Sequence, residues 1–260
     1  MQREERTIGE CHVDIAHYGA GSPVVVLHGE YGVTFAEEFL EMLGSHHEVV
    51  VPHHPGWAGS SRPTHVETMR DVALVQQEIL EGFATPVPVI GLSLGGWVAA
   101  EVAATCPGLV ASLVLVSPIG IKVGGREDRD FVDIYVTAAD QRRGLLSSTP
   151  GPPMDAARAL EMATAEEAVA RYCWSPYMHD PGLRHRLRRI TAPTLVLSGS
   201  DDRFVRRPDY FETYARLIGE GATHRRIDGA GHNVEEEMPH DVVAIVNEFV
   251  AQEMPAAAGR

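Results

Sequence analysis

At 260 residues and 28.3 kDa the chain has room for one large α/β domain or two small ones. Its 44% hydrophobic and 22% charged residues match a globular average and exclude wholesale disorder. With 36 acidic against 22 basic side chains, net −14, it lacks the basic face that displaces counterions from nucleic acid, and it has no polybasic segment for an anionic membrane surface.

No apolar run approaches the roughly 18 residues that cross a bilayer. The opening MQREERTIGE is charged and has no apolar core of the secretory type. Cys11, Cys106 and Cys173 stand far apart with no CxxC, which supports neither a disulfide framework nor a zinc site. These features together predict a cytoplasmic protein with free thiols and no membrane or nucleic-acid partner.

In chain order, residues 11–18 read as an antiparallel edge strand. Five short β-branched runs follow, at 23–28, 47–52, 86–91, 112–117 and 193–199, each apolar without alternation. Such runs are strands buried on both faces, the mark of a parallel sheet covered by helices on each side. Helical spacing occupies 35–43, 65–83, 94–105, 207–218 and 236–251. The alternation predicts an α/β fold with a doubly wound, mostly parallel sheet.

The alternation stops between about 120 and 190. Two helical patterns, 131–146 and 154–172, flank the turn-rich SSTPGPP at 147–153. Residues 121–190 carry 11 basic and 10 acidic side chains, so the acidity belongs to the rest of the chain. An excursion this long inside an α/β domain reads as a functional insertion. The expected division is therefore 1–120 with 190–253 as core, 121–189 as a helical cap, and 254–260 as a frayed tail.

The sharpest motif is Gly91-Leu92-Ser93-Leu94-Gly95, between an apolar strand and a helix. A serine displayed on so tight a turn needs small neighbours two residues away on either side. The helix N-terminus behind it favours negative charge, with the Leu94 amide as one donor. His28-Gly29-Glu30-Tyr31-Gly32 follows an apolar strand and could supply a second donor from the Glu30 amide. Gly199-Ser200-Asp201-Asp202 ends a late strand, and Gly229-Ala230-Gly231-His232 precedes the last helix. In an open α/β sheet all these groups converge at the carboxyl ends of the strands.

These motifs, with His54-Pro55-Gly56-Trp57-Ala58-Gly59-Ser60 and Glu237-Met238-Pro239, resemble the α/β-hydrolase fold superfamily from His28 to the final helix. The resemblance implies a serine-nucleophile, capped member. Ser93 would be the nucleophile, His232 the base and Asp202 the acid that orients it. The family's G-x-x-D spacing selects Asp202 over Asp201. The Leu94 and Glu30 amides would form the oxyanion hole. His28, Tyr31, Trp174 and Tyr177 are the candidate substrate-binding residues, with Tyr172 and Met178 as further candidates for the pocket lining.

The implied activity is hydrolysis of a small carbonyl substrate, an ester, thioester or activated carbon–carbon bond, with no cofactor or metal. Relatives that cleave carbon–carbon bonds often carry an aromatic residue after the catalytic histidine, and Asn233 departs from that pattern. A lyase, decarboxylase or cyclase on the same fold is the alternative, since fold does not fix chemistry. His46-His47 and His53-His54 lack the spacing of a metal site. Trp97 reads as packing and Glu101 as surface. Asp228 reads as a strand-end residue, and Arg184, Arg186, Arg188 and Arg189 as a solvated helix face, with an anchor for an anionic substrate as the alternative. The cap and an edge strand are the candidate surfaces for a homodimer, and spacing selects no oligomeric state.

Overall fold

A computed structural model describes residues 1–125, 127–149 and 155–253. Among these an eight-stranded sheet has the order β1-β2-β4-β3-β5-β6-β7-β8. The strands are β1 (Gln2–Ile8), β2 (Cys11–Tyr18), β3 (Pro23–Leu27), β4 (Glu48–Pro52), β5 (Val87–Leu92), β6 (Val110–Val116), β7 (Thr194–Gly199) and β8 (Ala222–Ile227). The pairs β1–β2 and β2–β4 are antiparallel, and every later pair is parallel.

The expected strands are present, including the antiparallel one at 11–18. Two more, β1 and β8, take the edges. β1 leaves most of its QREERTI side chains exposed, and β8 exposes Thr223 to Arg226. Neither carries the apolar run that marks the interior strands. In contrast β5 and β7 are buried along their whole length.

Helices cover both faces. They are α1 (Glu37–Gly44), α2 (Met69–Glu81), α3 (Leu94–Thr105), α4 (Ala139–Leu146), α5 (Ala156–Cys173), α6 (Leu183–Arg186), α7 (Tyr210–Ile218), α8 (Val234–Glu237) and α9 (Pro239–Glu253). α2 starts on a capping box: the Thr68 side chain accepts from the Asp71 amide while Asp71 accepts from the Thr68 amide. α3 is buried on almost every side because it packs between the sheet and α2, and its AAEVAA run is small enough to allow it.

The helices α4, α5 and α6 lie between β6 and β7, within the excursion read from sequence. Residues 131–138 are not helical as expected. Phe131 instead bridges to Val205 and packs against Phe204 and Tyr210, which draws that stretch onto the core. The helix expected at 154–172 is α5, and residue 154 lies outside the described residues, as do 150–153 of the turn and the tail at 254–260. No helix among the described residues is long and apolar enough to cross a membrane.

Candidate active site

β5 delivers Gly91 and Leu92 to a turn at Ser93, where the backbone takes φ 44° and ψ −105°. A non-glycine residue at positive φ is strained, and it is held here from both sides. The Ser93 amide donates to the Val116 carbonyl at 2.8 Å, and its carbonyl accepts from Trp97 at 3.2 Å. The flanking glycines follow from contact. A Cβ on Gly91 would sit 2.6 Å from the Gly95 carbonyl oxygen, and one on Gly95 would fall on the Leu27 carbonyl. Leu94 opens α3, so its N–H has no acceptor within the helix.

The Ser93 hydroxyl lies 2.7 Å from His232 Nε2. His232 Nδ1 donates to Asp202 Oδ2 at 2.7 Å. The other Asp202 oxygen accepts from the Phe204 and Val205 amides at 2.8 and 2.9 Å, which fixes the carboxylate without neutralising it. Asp201 instead accepts from Ser200 and is exposed, so Asp202 is the aspartate that reaches the imidazole. His232 is fully buried, with the Phe204 ring edge-on at 5.0 Å. Burial alone pulls its pKa down. The Asp202 carboxylate beside it, with Glu30 and Glu235, holds it above the usual 6.5.

The loop after β3 brings in a group that sequence reading assigned only by its backbone. The Glu30 side chain is buried, and its Oε1 accepts from the Ser93 hydroxyl at 2.6 Å. Its backbone carbonyl accepts from the Trp57 indole at 2.8 Å. Trp57 stacks on Tyr172, whose hydroxyl donates to the Pro55 carbonyl at 3.0 Å. The loop His54–Ser60 thus anchors Glu30. No spacing rule announces where a loop side chain points, and a glutamate directly after His28-Gly29 was the available signal.

His28 lies beneath that loop. Its Nδ1 donates to the Gly29 carbonyl at 2.8 Å, and its Nε2 accepts from the His54 amide at 3.0 Å. His54 returns a bond to the His28 carbonyl at 3.1 Å and accepts from Gln76 at 3.1 Å. Both rings are fully buried, which pushes His28 down to about 3 and keeps it neutral.

A narrow, largely apolar cavity is lined by Glu30, Tyr31, Ile134, Leu146, Glu166, Val169, Met178 and Phe204. Trp174 and Tyr177 are elsewhere. They flank a second cavity of about 350 Å³ with Lys122, Asp128, Arg129 and His179. The Tyr177 hydroxyl donates to Val132 O and accepts from Ile134 N, both at 2.9 Å. The structure therefore brings Ser93, His232, Asp202, Glu30 and Tyr31 together, and separates Trp174 and Tyr177 from them.

Two expectations need correction. Glu101 is buried at 1% exposure rather than on the surface, because Arg186 pairs with it. Arg186 also pairs with Asp180 at 2.6 Å, and Arg189 donates to the Ala104 carbonyl at 2.9 Å. Arg184 donates to the Lys122 carbonyl at 3.0 Å, so three of the four arginines are tied to the rest of the chain, although Arg189 is exposed like Arg188.

The excursion is also stitched to the His232 loop. The Asn233 amide donates to the Leu146 carbonyl at 2.8 Å, and Arg143 pairs with Glu236. Glu237 accepts from the Gly231 amide at 2.9 Å and from the Ser148 hydroxyl at 3.1 Å.

Comparison with known proteins agrees with this architecture. The 2-hydroxy-6-oxo-2,4-heptadienoate hydrolase of Pseudomonas putida is 27% identical over 273 residues, covering 94% of this chain and 95% of its own. The biotin biosynthesis bifunctional protein BioHC of Teredinibacter turnerae is 25% identical over 274 residues, covering 92% of this chain and 46% of its own. A solved esterase of Thermogutta terrifontis superposes with a TM-score of 0.74 at 24% identity, covering 97% of this chain and 99% of that one. The model of the alpha/beta hydrolase family matches residues 24–245, and the chain belongs to that family.

Proposed function

We propose that the protein is a serine hydrolase of small carbonyl substrates, with Ser93 as nucleophile, His232 as general base and acid, and Asp202 as its orienting carboxylate. The observation that carries this reading is the unbroken run of hydrogen bonds from Asp202 through His232 to a strained Ser93, each link 2.7 Å. The names of the relatives, a hydrolase of a hydroxy-oxo-dienoate and an esterase, are consistent with a carbonyl carbon as the point of attack. Residues 121–189 serve as a helical cap over a core of 1–120 and 190–253.

In this reaction the Ser93 oxygen forms a bond to the carbonyl carbon as its proton passes to His232 Nε2. The carbonyl electrons move onto oxygen, which the Leu94 and Glu30 amides receive. Loss of one such donor costs about 2.7–4 kcal/mol in comparable sites. The intermediate collapses, the bond to the leaving group breaks, and His232 gives that group its proton. Water then repeats the sequence on the acyl-serine and restores Ser93.

The test is intact-mass labelling with a fluorophosphonate, beside turnover of a p-nitrophenyl ester in ¹⁸O water. One adduct in the wild type, none in Ser93→Ala, and one ¹⁸O in the released acid are expected. Retained turnover in Ser93→Ala would overturn the assignment. Product without ¹⁸O would favour the lyase, decarboxylase or cyclase alternative.

A further inference from the structure

The Ser93 hydroxyl faces two acceptors, His232 Nε2 at 2.7 Å and Glu30 Oε1 at 2.6 Å, and it has one proton to give. With neutral His232 and ionised Glu30, one of those short contacts sets lone pair against lone pair. Both are satisfied only when one further proton sits on the cluster, on His232 or on Glu30. When Ser93 attacks and gives its proton to His232, the Glu30 carboxylate loses this partner. It is then a buried charge beside an oxygen that is itself becoming negative.

Apart from the imidazolium formed on His232, the surroundings do not relieve it. The cavity that Glu30 lines is otherwise apolar apart from Tyr31 and Glu166. Glu166 already takes Arg142 at 3.1 Å on each of its oxygens. Among the described residues no lysine or arginine lines this cavity, so on the substrate side Glu30 meets no fixed cation of the protein. Glu30 Oε1 also stands 2.6 Å from the Ser93 hydroxyl, which sets any group it binds close to the carbonyl carbon under attack.

We infer that Glu30 is a specificity-determining residue whose carboxylate receives a primary ammonium group on the carbon next to the scissile carbonyl, so that the preferred substrates are α-amino acyl esters or thioesters. The inference rests on Ser93 being the nucleophile. An ammonium there pairs with Glu30, frees the Ser93 proton for His232, and offsets the charge beside the oxyanion. An anionic acyl group meets repulsion at the same place.

The experiment compares kcat/KM for the p-nitrophenyl esters of L-alanine and of propionic acid, which differ by the ammonium group, at a pH that keeps it charged. A charge-assisted hydrogen bond predicts a preference for the alanine ester of roughly 10- to 100-fold in the wild type. Glu30→Gln, which keeps shape and backbone, should bring the ratio to within about twofold of unity. The wild-type ratio needs no variant to fold, and thermal melting verifies the variant.

A wild type that prefers propionate or shows no preference overturns the inference, as does an unchanged ratio in Glu30→Gln. If neither ester turns over while the fluorophosphonate still labels Ser93, the inference fails and the serine assignment stands. If nothing labels Ser93, both fall together.

Discussion

At the scale of single residues, proton position governs the site. In the proposed reaction His232 works as a base only when Nε2 is free, so kcat/KM should rise with pH as the imidazole loses its proton. Asp202 and Glu30 hold that proton on, which places the half-maximal point of the acid limb above 6.5. Glu30→Gln removes one negative neighbour and should move the limb to lower pH. A pH–rate profile with its midpoint at or below 6.5, or one that Glu30→Gln leaves in place, would contradict this electrostatic reading. The meeting of Ser93, Asp202 and His232 was legible in sequence because each sits in a glycine-marked turn whose geometry demands small residues. The Glu30 carboxylate was not, since its direction is set by Trp57 and by a loop that no periodicity describes. Aromatic residues in the excursion drew attention to Trp174 and Tyr177, yet composition carries no information on which side of a helix faces Ser93.

Beyond the apolar core, a few part-buried ion pairs join elements, and the one between α6 and α3 is the most open to test. Arg186 on α6 reaches Glu101, which sits at 1% exposure inside α3, and also Asp180. Burial pushes the Glu101 carboxyl up even with that partner present. Arg186→Ala should therefore cost about 3–5 kcal/mol in urea unfolding, because it strands the carboxyl in the core. Adding Glu101→Gln should recover a large part of the loss. Equal destabilisation in single and double variants would show that lost packing, and not the stranded charge, is responsible. The interior strands were legible because burial on both faces writes an uninterrupted apolar run. β1 and β8 escaped notice for the opposite reason: as edge strands they present Arg3, Glu4 and Glu5, or Arg225 and Arg226, to solvent. Charge on an edge strand also blunts it against pairing with another chain.

For the whole molecule, three imidazoles tie stability to acidity. Burial holds His28 and His53 down at about 3, and His54 well below its usual value. In the unfolded chain each takes up a proton near pH 6.5. Below that pH the unfolded state binds more protons than the native one, so stability present above 6.5 is lost as pH falls towards 3. Each ring contributes about 1.4 kcal/mol per pH unit within that window. The melting temperature should therefore drop steeply from pH 6.5 to 4.5. His53→Phe should make the decline shallower by one proton. It should cost little at pH 7.5, since among the described residues neither ring nitrogen of His53 has a hydrogen-bond partner. An unchanged slope in His53→Phe would place the acid sensitivity elsewhere. The chain's division into an acidic body and a near-neutral excursion was readable from charge alone, whereas this histidine cluster forms only when the ends of β3 and β4 meet.

The bonds that join Leu146 to Asn233, Arg143 to Glu236 and Ser148 to Glu237 have a kinetic consequence. They span the boundary between one wall of the cavity and the segment that carries His232, the first of them one residue from it. Any lifting of the end of α4 to admit a substrate in the proposed reaction would strain the same peptide that orients the His232 ring. Access and proton transfer thus share one mechanical coordinate. In the proposed reaction, turnover would alternate between a state that exchanges ligand with poor base alignment and a sealed state that reacts, and the slower of these two motions would set the rate.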